Sequence, residues 1–313
     1  MASSVCVIGS SNTDMVIKAD KLPAPGETVI GGTFLMNPGG KGANQAVAAA
    51  RLSTPLAGPI TFVANVGNDV FGRQARQQFE REGIRTDFVT TDADEPSGVA
   101  LIGVDSRGEN SIMVASGANA RLGQAQVAAA LSAENEATVI LIQLETPLAV
   151  VEYAIRQSHE RGMRVVLNPA PAQPIDPAVL PFLHVISPNE TEAELLTGIR
   201  VIDEATAREA AQWLHRAGVP NVVITLGARG AYLSSADGAG MVAAPPVTAV
   251  DTTAAGDCFN GALAVALAEN QPLPDAVAFA CKAASIAVTQ MGAQASMPHR
   301  RQVDSLPLLT AEQ

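Results

Sequence analysis

The sequence predicts an α/β fold, a doubly wound and mainly parallel sheet covered by helices on both faces, with a small β-strand lid subdomain. Three observations predict it. Short apolar, β-branched runs recur along most of the chain, and segments of helical period with their own start and stop residues lie between them. Two stretches break this rhythm with extended patterns punctuated by turns.

Taken in order, Val5–Ile8 reads as a buried strand ended by Gly9. The first interruption, 14–38, sets Pro23-Ala24-Pro25-Gly26 between extended stretches, with apolar Thr28–Ile30 before Gly31-Gly32. The glycine cluster 39–42 then opens a helix through Val47 and Leu52 that includes alanine-rich 46–50. Thr61–Val66 is the next buried run, and Phe71, Ala75 and Phe79 recur at helical spacing before Gly83 supplies a left-handed stop. The second interruption, 97–116, alternates through Val99, Leu101 and Gly103, turns at 105–108, and returns through Ile112 and Val114 as a hairpin. Val139–Ile142 follows, then a helix capped by Thr146-Pro147 that carries Leu148, Val151 and Ile155 to Gly162. Val165–Leu167, Val185–Ile186 and Val222–Leu226 are further strands, with a helix over 203–218, and a last helical body runs through Leu263 and Leu267. The expected division is an α/β core of 1–13, 39–96 and 117–313 and a lid of 14–38 and 97–116; the two excursions read either as decorated loops or as a cover over the strand carboxyl ends.

Composition narrows the function classes. The 313 residues carry 20 Lys+Arg against 31 Asp+Glu, a net charge of −11, which opposes the counterion release that non-specific nucleic-acid binding requires. One Trp, two Tyr and eight Phe supply few stacking platforms. No apolar stretch approaches the ~18 residues of a membrane span, and the start lacks the basic residues of a secretory signal. Cys6, Cys258 and Cys281 are odd in number and set in apolar surroundings, which predicts buried reduced thiols and a cytoplasmic location. The four histidines never reach zinc-ligand spacing.

Four polar clusters could carry chemistry. In Asp251-Thr252-Thr253-Ala254-Ala255-Gly256-Asp257, small residues lead into a helix whose free N–H groups and dipole suit an anion, and lack of bulk lets phosphate oxygens approach. Asp257, in the first turn, reads either as a proton acceptor beside that anion hole or as a plain helix cap. The cluster Asn37-Pro38-Gly39-Gly40-Lys41-Gly42-Ala43-Asn44-Gln45 is neither a P-loop nor a dinucleotide turn; it offers close backbone approach and Asn44 for a polyol, or is only a turn into a helix. Ser11-Asn12-Thr13-Asp14 and Glu145 follow strands at their carboxyl ends, where amide and carboxylate match vicinal hydroxyls, though a solvated loop has the same composition. Asn189-Glu190-Thr191-Glu192 opens a helix, with Glu192 at N3 of Asn189 as in a capping box.

Together, Gly39-Gly40-Lys41-Gly42-Ala43-Asn44-Gln45-Ala46, Pro188-Asn189-Glu190-Thr191-Glu192 and the Asp251–Asp257 signature stand in the order and at the spacing of one family. The chain resembles the ribokinase-like (PfkB-type) carbohydrate kinases, ribokinase group, from Val5 to about Pro298. The resemblance implies a three-layer core and ATP-dependent phosphorylation of the 5-hydroxyl of D-ribose. Asp257 would be the general base, with an anion hole at Ala254, Ala255, Gly256 and Asp257 itself. Sugar would be held by Asn12, Asp14, Gly40, Lys41, Gly42, Asn44 and Glu145, and nucleotide by Asn189, Glu192, Thr225, Gly227, Ala228, Gly230, Gly256 and Cys281. Mg²⁺ would arrive with ATP, and K⁺ would occupy a site at Asp251, Thr253, Ala287, Gln290, Gly292 and Ser296. Similar enzymes dimerise through the lid, which implies a homodimer. Two positions depart from the family pattern: Ala254 replaces a common glycine, and Cys281 replaces a common Asn or His near the adenine. The rival readings are a deoxyribokinase or another sugar kinase, whose deoxyribose-preferring members tend to be apolar where Asn12 stands, and a non-catalytic sugar sensor, which would have lost Asp257 or Gly256.

Overall fold

The computed structural model describes residues 3–306. The first half runs β1 (Val5–Ile8), β2 (Asn12–Lys18), β3 (Thr33–Gly39), α1 (Lys41–Leu52), β4 (Ile60–Gly67), α2 (Val70–Arg81), β5 (Val89–Asp92), β6 (Gly98–Val104), β7 (Asn110–Ala115), α3 (Gln124–Ala133), β8 (Val139–Ile142) and α4 (Leu148–Glu160). It continues with β9 (Arg164–Leu167), β10 (Val185–Ile186), α5 (Glu190–Thr197), α6 (Glu204–Arg216), β11 (Val222–Thr225), β12 (Ala231–Ser235), β13 (Gly238–Val242), α7 (Ala255–Ala268), α8 (Leu273–Ala287) and α9 (Arg300–Asp304).

The main sheet has nine strands in the order β13-β12-β11-β10-β9-β8-β1-β4-β5. From β11 to β5 its pairings are parallel, and β12 and β13 join antiparallel at one end. Strand alternation builds two cores from one sheet. Val5, Val7, Phe62, Leu141 and Val223 pack with α1, α7 and α8, whereas Cys6, Ile8, Val63, Ile140 and Ile224 pack with α3, α4 and α6. The result is three layers, helix–sheet–helix. All three cysteines are buried and free.

The two excursions share a second, four-stranded sheet in the order β3-β2-β6-β7. Its register is continuous, Asn12 to Lys18 opposite both Gly98 to Val104 and Gly39 to Thr33.

Several details differ from the sequence reading. The segment 28–30 forms no strand: it precedes Gly31 and Gly32, both left-handed, and Ile30 is 93% exposed. Residues 12 and 13 belong to the lid strand β2 and not to a loop of the core. The hairpin β12–β13 carries no apolar alternation in its outer strand, Gly-Ala-Gly-Met-Val, and so leaves no period to read. At the start of α4, Pro147 is the N-cap, and the Thr146 hydroxyl is buried without a hydrogen-bond partner instead of capping.

Candidate active site

In the main sheet β1 lies between β4 and β8, so the chain winds outward in opposite directions from this point. Open α/β sheets bind ligands at such a reversal, beyond the strand carboxyl ends. The polar clusters collect there. Ser10, after β1, donates to Glu145 Oε2 at 2.5 Å, and the Lys41 backbone N–H donates to the same oxygen at 3.0 Å. Glu145, after β8, thereby sits on the N-terminus of α1, where a carboxylate is favoured.

The glycine cluster allows this closeness. Gly40 is the N-cap of α1 at φ 88°, a left-handed conformation that suits glycine, and a Cβ there would stand 2.7 Å from the Asn12 nitrogen. A Cβ on Gly42 would lie 2.6 Å from Gly9 and Ser10 backbone atoms, so the start of α1 packs directly on the exit of β1. Farther along, α1 meets α7 almost backbone to backbone, because a Cβ on Gly261 would fall 2.7 Å from the Gln45 carbonyl and the Ala48 methyl. That crossing brings Asn44 and Gln45 onto Asp257.

Asp257 stands in the first turn of α7 and is 6% exposed. Asn44 Nδ2 donates to its Oδ2 at 2.9 Å, and Gln45 Nε2 donates to its Oδ1 at 2.9 Å. Gln45 is itself oriented: Gln143 Nε2 donates to its Oε1 at 2.5 Å, and its own Nε2 also donates to Asn168 Oδ1 at 3.0 Å. Asn168 Nδ2 donates to the Ser187 carbonyl, and Asn260 Nδ2 to the Gly256 carbonyl. Buried amides from α1 and from the ends of β8 and β9 therefore aim the carboxylate. The cap reading of Asp257 does not hold, because both oxygens accept from side chains of α1.

Burial raises the Asp257 pKa, opposed by Lys41 and by the Gln45 and Asn44 donors. Burial also raises Asp14, to about 6, with Glu145 and Asp257 adding repulsion. For Lys41, burial favours the neutral amine, but Asp257, Glu145, Glu192 and Asp14 outweigh it and raise the pKa. The ammonium is the one cation among these carboxylates, which holds the cluster's charge together.

On the other side of Asp257 lies a cavity of about 440 Å³. Thr225, Gly227, Ala228, Gly230, Gly256 and Cys281 all line it, with Pro245, Pro246 and Phe259 as apolar walls. Asn189 pairs with Thr225 at the cavity's edge but does not line it. Its side chain caps α5 in a reciprocal box with Glu192, whose Oε2 accepts the Asn189 N–H at 2.9 Å and whose Oε1 accepts from Nδ2 at 3.1 Å. Burial pushes the Cys281 thiol up to about 12, and Sγ faces the Val242 carbonyl, so the cavity keeps a neutral thiol. Ala254, the N-cap of α7, adopts φ 58°, left-handed for a non-glycine residue, at a cost of roughly 1–2 kcal/mol. The first-turn N–H groups of Gly256 and Asp257 have no intrahelical acceptor, and Gly256 lines this opening.

The loops 250–253 and 288–296 are tied together below this turn. Val250 and Asp251 N–H both donate to the Val288 carbonyl, Asp251 Oδ1 accepts from Thr253 N–H at 2.9 Å, and Oδ2 accepts from Gly292 N–H at 2.9 Å. These hydrogen bonds overcome partial burial and lower the Asp251 pKa. Arg51, at the end of α1, donates to the carbonyls of Gln294 and Met297 and pairs with Glu82, which anchors the second loop to α1 and α2. The donors the two loops offer, a carboxylate, carbonyls and the Ser296 hydroxyl, are all oxygens and suit a hard cation. Among the described residues, no group of three or more His, Cys, Asp or Glu could hold a metal ion.

Gln45, Gln143, Asn168, Ser10 and Asn119 enter the site without having been singled out as site residues. Ser10, Gln143 and Asn168 follow buried strands, where a scan of strand ends for polar residues would have found them, and Gln45 lies in the glycine cluster.

A family model described as pfkB family carbohydrate kinase matches residues 2–300. The ribokinase of Haemophilus influenzae is 43% identical over 302 residues, covering 96% of this chain and 97% of that protein. A deoxyribokinase of Salmonella typhi is 36% identical, covering 94% and 95%. The structure of Arabidopsis thaliana ribokinase complexed with ribose and ATP superposes with a TM-score of 0.87 at 32% identity, over 97% of this chain and 98% of that one.

Proposed function

The chain belongs to the pfkB family of carbohydrate kinases, and on that premise we propose that it transfers the terminal phosphoryl group of ATP to the 5-hydroxyl of D-ribose, giving D-ribose 5-phosphate and ADP. The observation that carries this reading is Asp257, fixed by Asn44 and Gln45 between the reversal point of the sheet and the Gly256-lined cavity.

In this mechanism the sugar lies over the start of α1. Asn12 and Asp14, two residues apart on one face of β2, and Glu145 hold its secondary hydroxyls, while backbone groups at Gly40, Lys41 and Gly42 and the Asn44 side chain turn the 5-hydroxyl toward Asp257. Asp257 accepts that proton as the oxygen attacks phosphorus. ATP lies in the cavity of about 440 Å³ along Thr225, Gly227, Ala228, Gly230 and Cys281, with Asn189 at its edge. The amides of the Ala254–Asp257 turn, with the helix dipole behind them, stabilise charge on the transferring group, and Lys41 adds its ammonium. Mg²⁺ bound with ATP would neutralise phosphate charge, and Glu192, whose oxygens already accept from Asn189, would be the carboxylate that helps hold it. K⁺ would be held by oxygens of Asp251, Thr253, Ala287, Gln290, Gly292 and Ser296 and would steady the anion hole. Phosphorus-31 NMR of the product tests the regiochemistry: a signal of ribose 5-phosphate is expected, and phosphate at any other carbon overturns the placement of the 5-hydroxyl at Asp257.

A pH dependence follows from Asp14. Sugar hydroxyls donate to its carboxylate, so binding favours the ionised form, and the free enzyme protonates this group below about pH 6. KM for ribose is therefore expected to rise as pH falls through 6, approaching tenfold per pH unit, about the slope of a single proton. Asp14→Asn should weaken binding and remove that slope. A KM flat from pH 7.5 to 5 contradicts the assignment.

The deoxyribokinase relative makes 2-deoxyribose the second candidate substrate. The buried, hydrogen-bonded amide of Asn12 favours ribose, because a site built to bond a hydroxyl rejects the analogue lacking it.

We also assign a homodimer joined through the lid. On one face of this sheet Ile17, Phe34, Leu101 and Met113 are 51%, 59%, 48% and 68% exposed, an apolar patch that association would cover. The double variant Ile17→Asp/Met113→Glu is expected to sediment as a monomer and the wild type as a dimer; a monomeric wild type overturns this. No helix among the described residues is long and apolar enough to cross a membrane. A cytoplasmic location is consistent with use of ATP and with three free thiols.

A further inference from the structure

Asn119 contacts neither the cavity for nucleotide nor Asp257, yet it is 2% exposed and every polar atom of its side chain is engaged beside the sugar cleft. Its Oδ1 accepts from the Ser11 N–H at 2.8 Å, and its Nδ2 donates to the Ser11 carbonyl at 3.1 Å and to Asn12 Oδ1 at 2.8 Å. A backbone N–H only donates and a carbonyl only accepts, so Ser11 fixes which end of the Asn119 amide is which. The polarity then passes one step on. Because Nδ2 of Asn119 faces Asn12, the oxygen of Asn12 must turn toward it, and the Nδ2 of Asn12 is left to face the cleft.

This matters for the partner of Asn12. On the same face of β2, two residues away, Asp14 is a carboxylate above pH 6 and only accepts. A sugar hydroxyl has one proton to give and lone pairs to receive, so a donor on one side and an acceptor on the other satisfy it together. Were Asn12 to rotate its amide by half a turn, two acceptors would face the hydroxyl and one would go unpaired. Space has been left for the link: in register with Asn12 lies Gly98, where a Cβ would stand 2.2 Å from both Asn119 Nδ2 and Asn12 Oδ1.

We propose that Asn119 is a positioning residue that locks Asn12 as a hydrogen-bond donor and so sets the preference for ribose over 2-deoxyribose. The proposal rests on the reading of Asn12 as the group that meets the 2-hydroxyl. Asn119→Asp is nearly isosteric and keeps the acceptor for Ser11 N–H, but it has no donor for the Ser11 carbonyl or for Asn12, which must turn its own Nδ2 toward the new carboxylate.

The test measures kcat and KM with D-ribose and with 2-deoxy-D-ribose, at saturating ATP and magnesium and pH 8, for the wild type, N119D and G98A. The wild type is expected to prefer ribose. In both variants kcat/KM for ribose should fall by at least about tenfold, through KM, while that for 2-deoxyribose changes by no more than about twofold, so the preference shrinks by the same factor. Equal losses on both sugars, with the preference intact, make Asn119 a merely structural residue and overturn the proposal. G98A, which wedges the two amides apart and leaves both in place, decides between these two outcomes if N119D is recovered unfolded. A wild type with no preference for ribose overturns the reading of Asn12 itself, a result distinct from a wild-type preference that survives the variants.

Discussion

Asp257→Asn is expected to lower kcat by at least ~10²-fold while ribose still binds, since general-base catalysis contributes about 10²–10⁴-fold. The variant keeps the shape of the side chain, and its oxygen still accepts from Gln45 or Asn44. The new amide nitrogen also has a partner at hand. Asn44 Oδ1 is buried without a hydrogen-bond partner, and a half-turn of the Asn44 amide offers it to position 257. Stability should thus change little, and the loss should fall on the chemical step. Calorimetric titration with ribose and single-turnover kinetics separate the two. Turnover within a few-fold of wild type would remove Asp257 from the mechanism.

Gly256→Val is expected to be the second most damaging change, for a different reason. A Cβ at this position meets no atom within 4 Å, and the residue lies exposed at the mouth of the cavity, so the fold has room for valine. What the side chain takes is the space a phosphate needs beside the free N–H groups of α7. Removing an oxyanion donor costs about 10²–10³-fold in other systems, and a loss of that order is expected here, with KM for ATP raised, ribose affinity retained and Tm unchanged. A fully active variant would show that the phosphoryl group travels elsewhere. A variant that unfolds would contradict the open space around Gly256.

Much of this arrangement was legible in the chain. The strands β1, β8 and β10 are apolar runs bounded by polar residues or glycine, and their ends fall where the apolar runs put them. The helix starts at Asp203 and Asn189 follow their capping residues. The parts that were not legible depend on contacts distant in sequence. Nothing local in Gln45, Gln143 or Asn168 says that the three meet, because α1, β8 and β9 are joined only in the folded sheet. The approach of α1 to α7 rests on Gly261, which in sequence is one small residue within a helix of small residues. The link from Asn119 to Asn12 spans 107 positions and leaves no periodic trace. The β12–β13 hairpin escaped because two of the five residues of its outer strand are glycine and the strand faces solvent, where no apolar period is required.

The central claim is ribose phosphorylation by this site, and release of ADP from ATP and magnesium, measured across D-ribose, 2-deoxyribose, fructose and adenosine with and without potassium, tests it most directly. The account predicts that ribose is turned over in preference to the other three and that potassium raises its rate. Preferred turnover of another acceptor would contradict the reading of the sugar cleft, and no turnover of any would leave a sugar-binding protein without kinase activity.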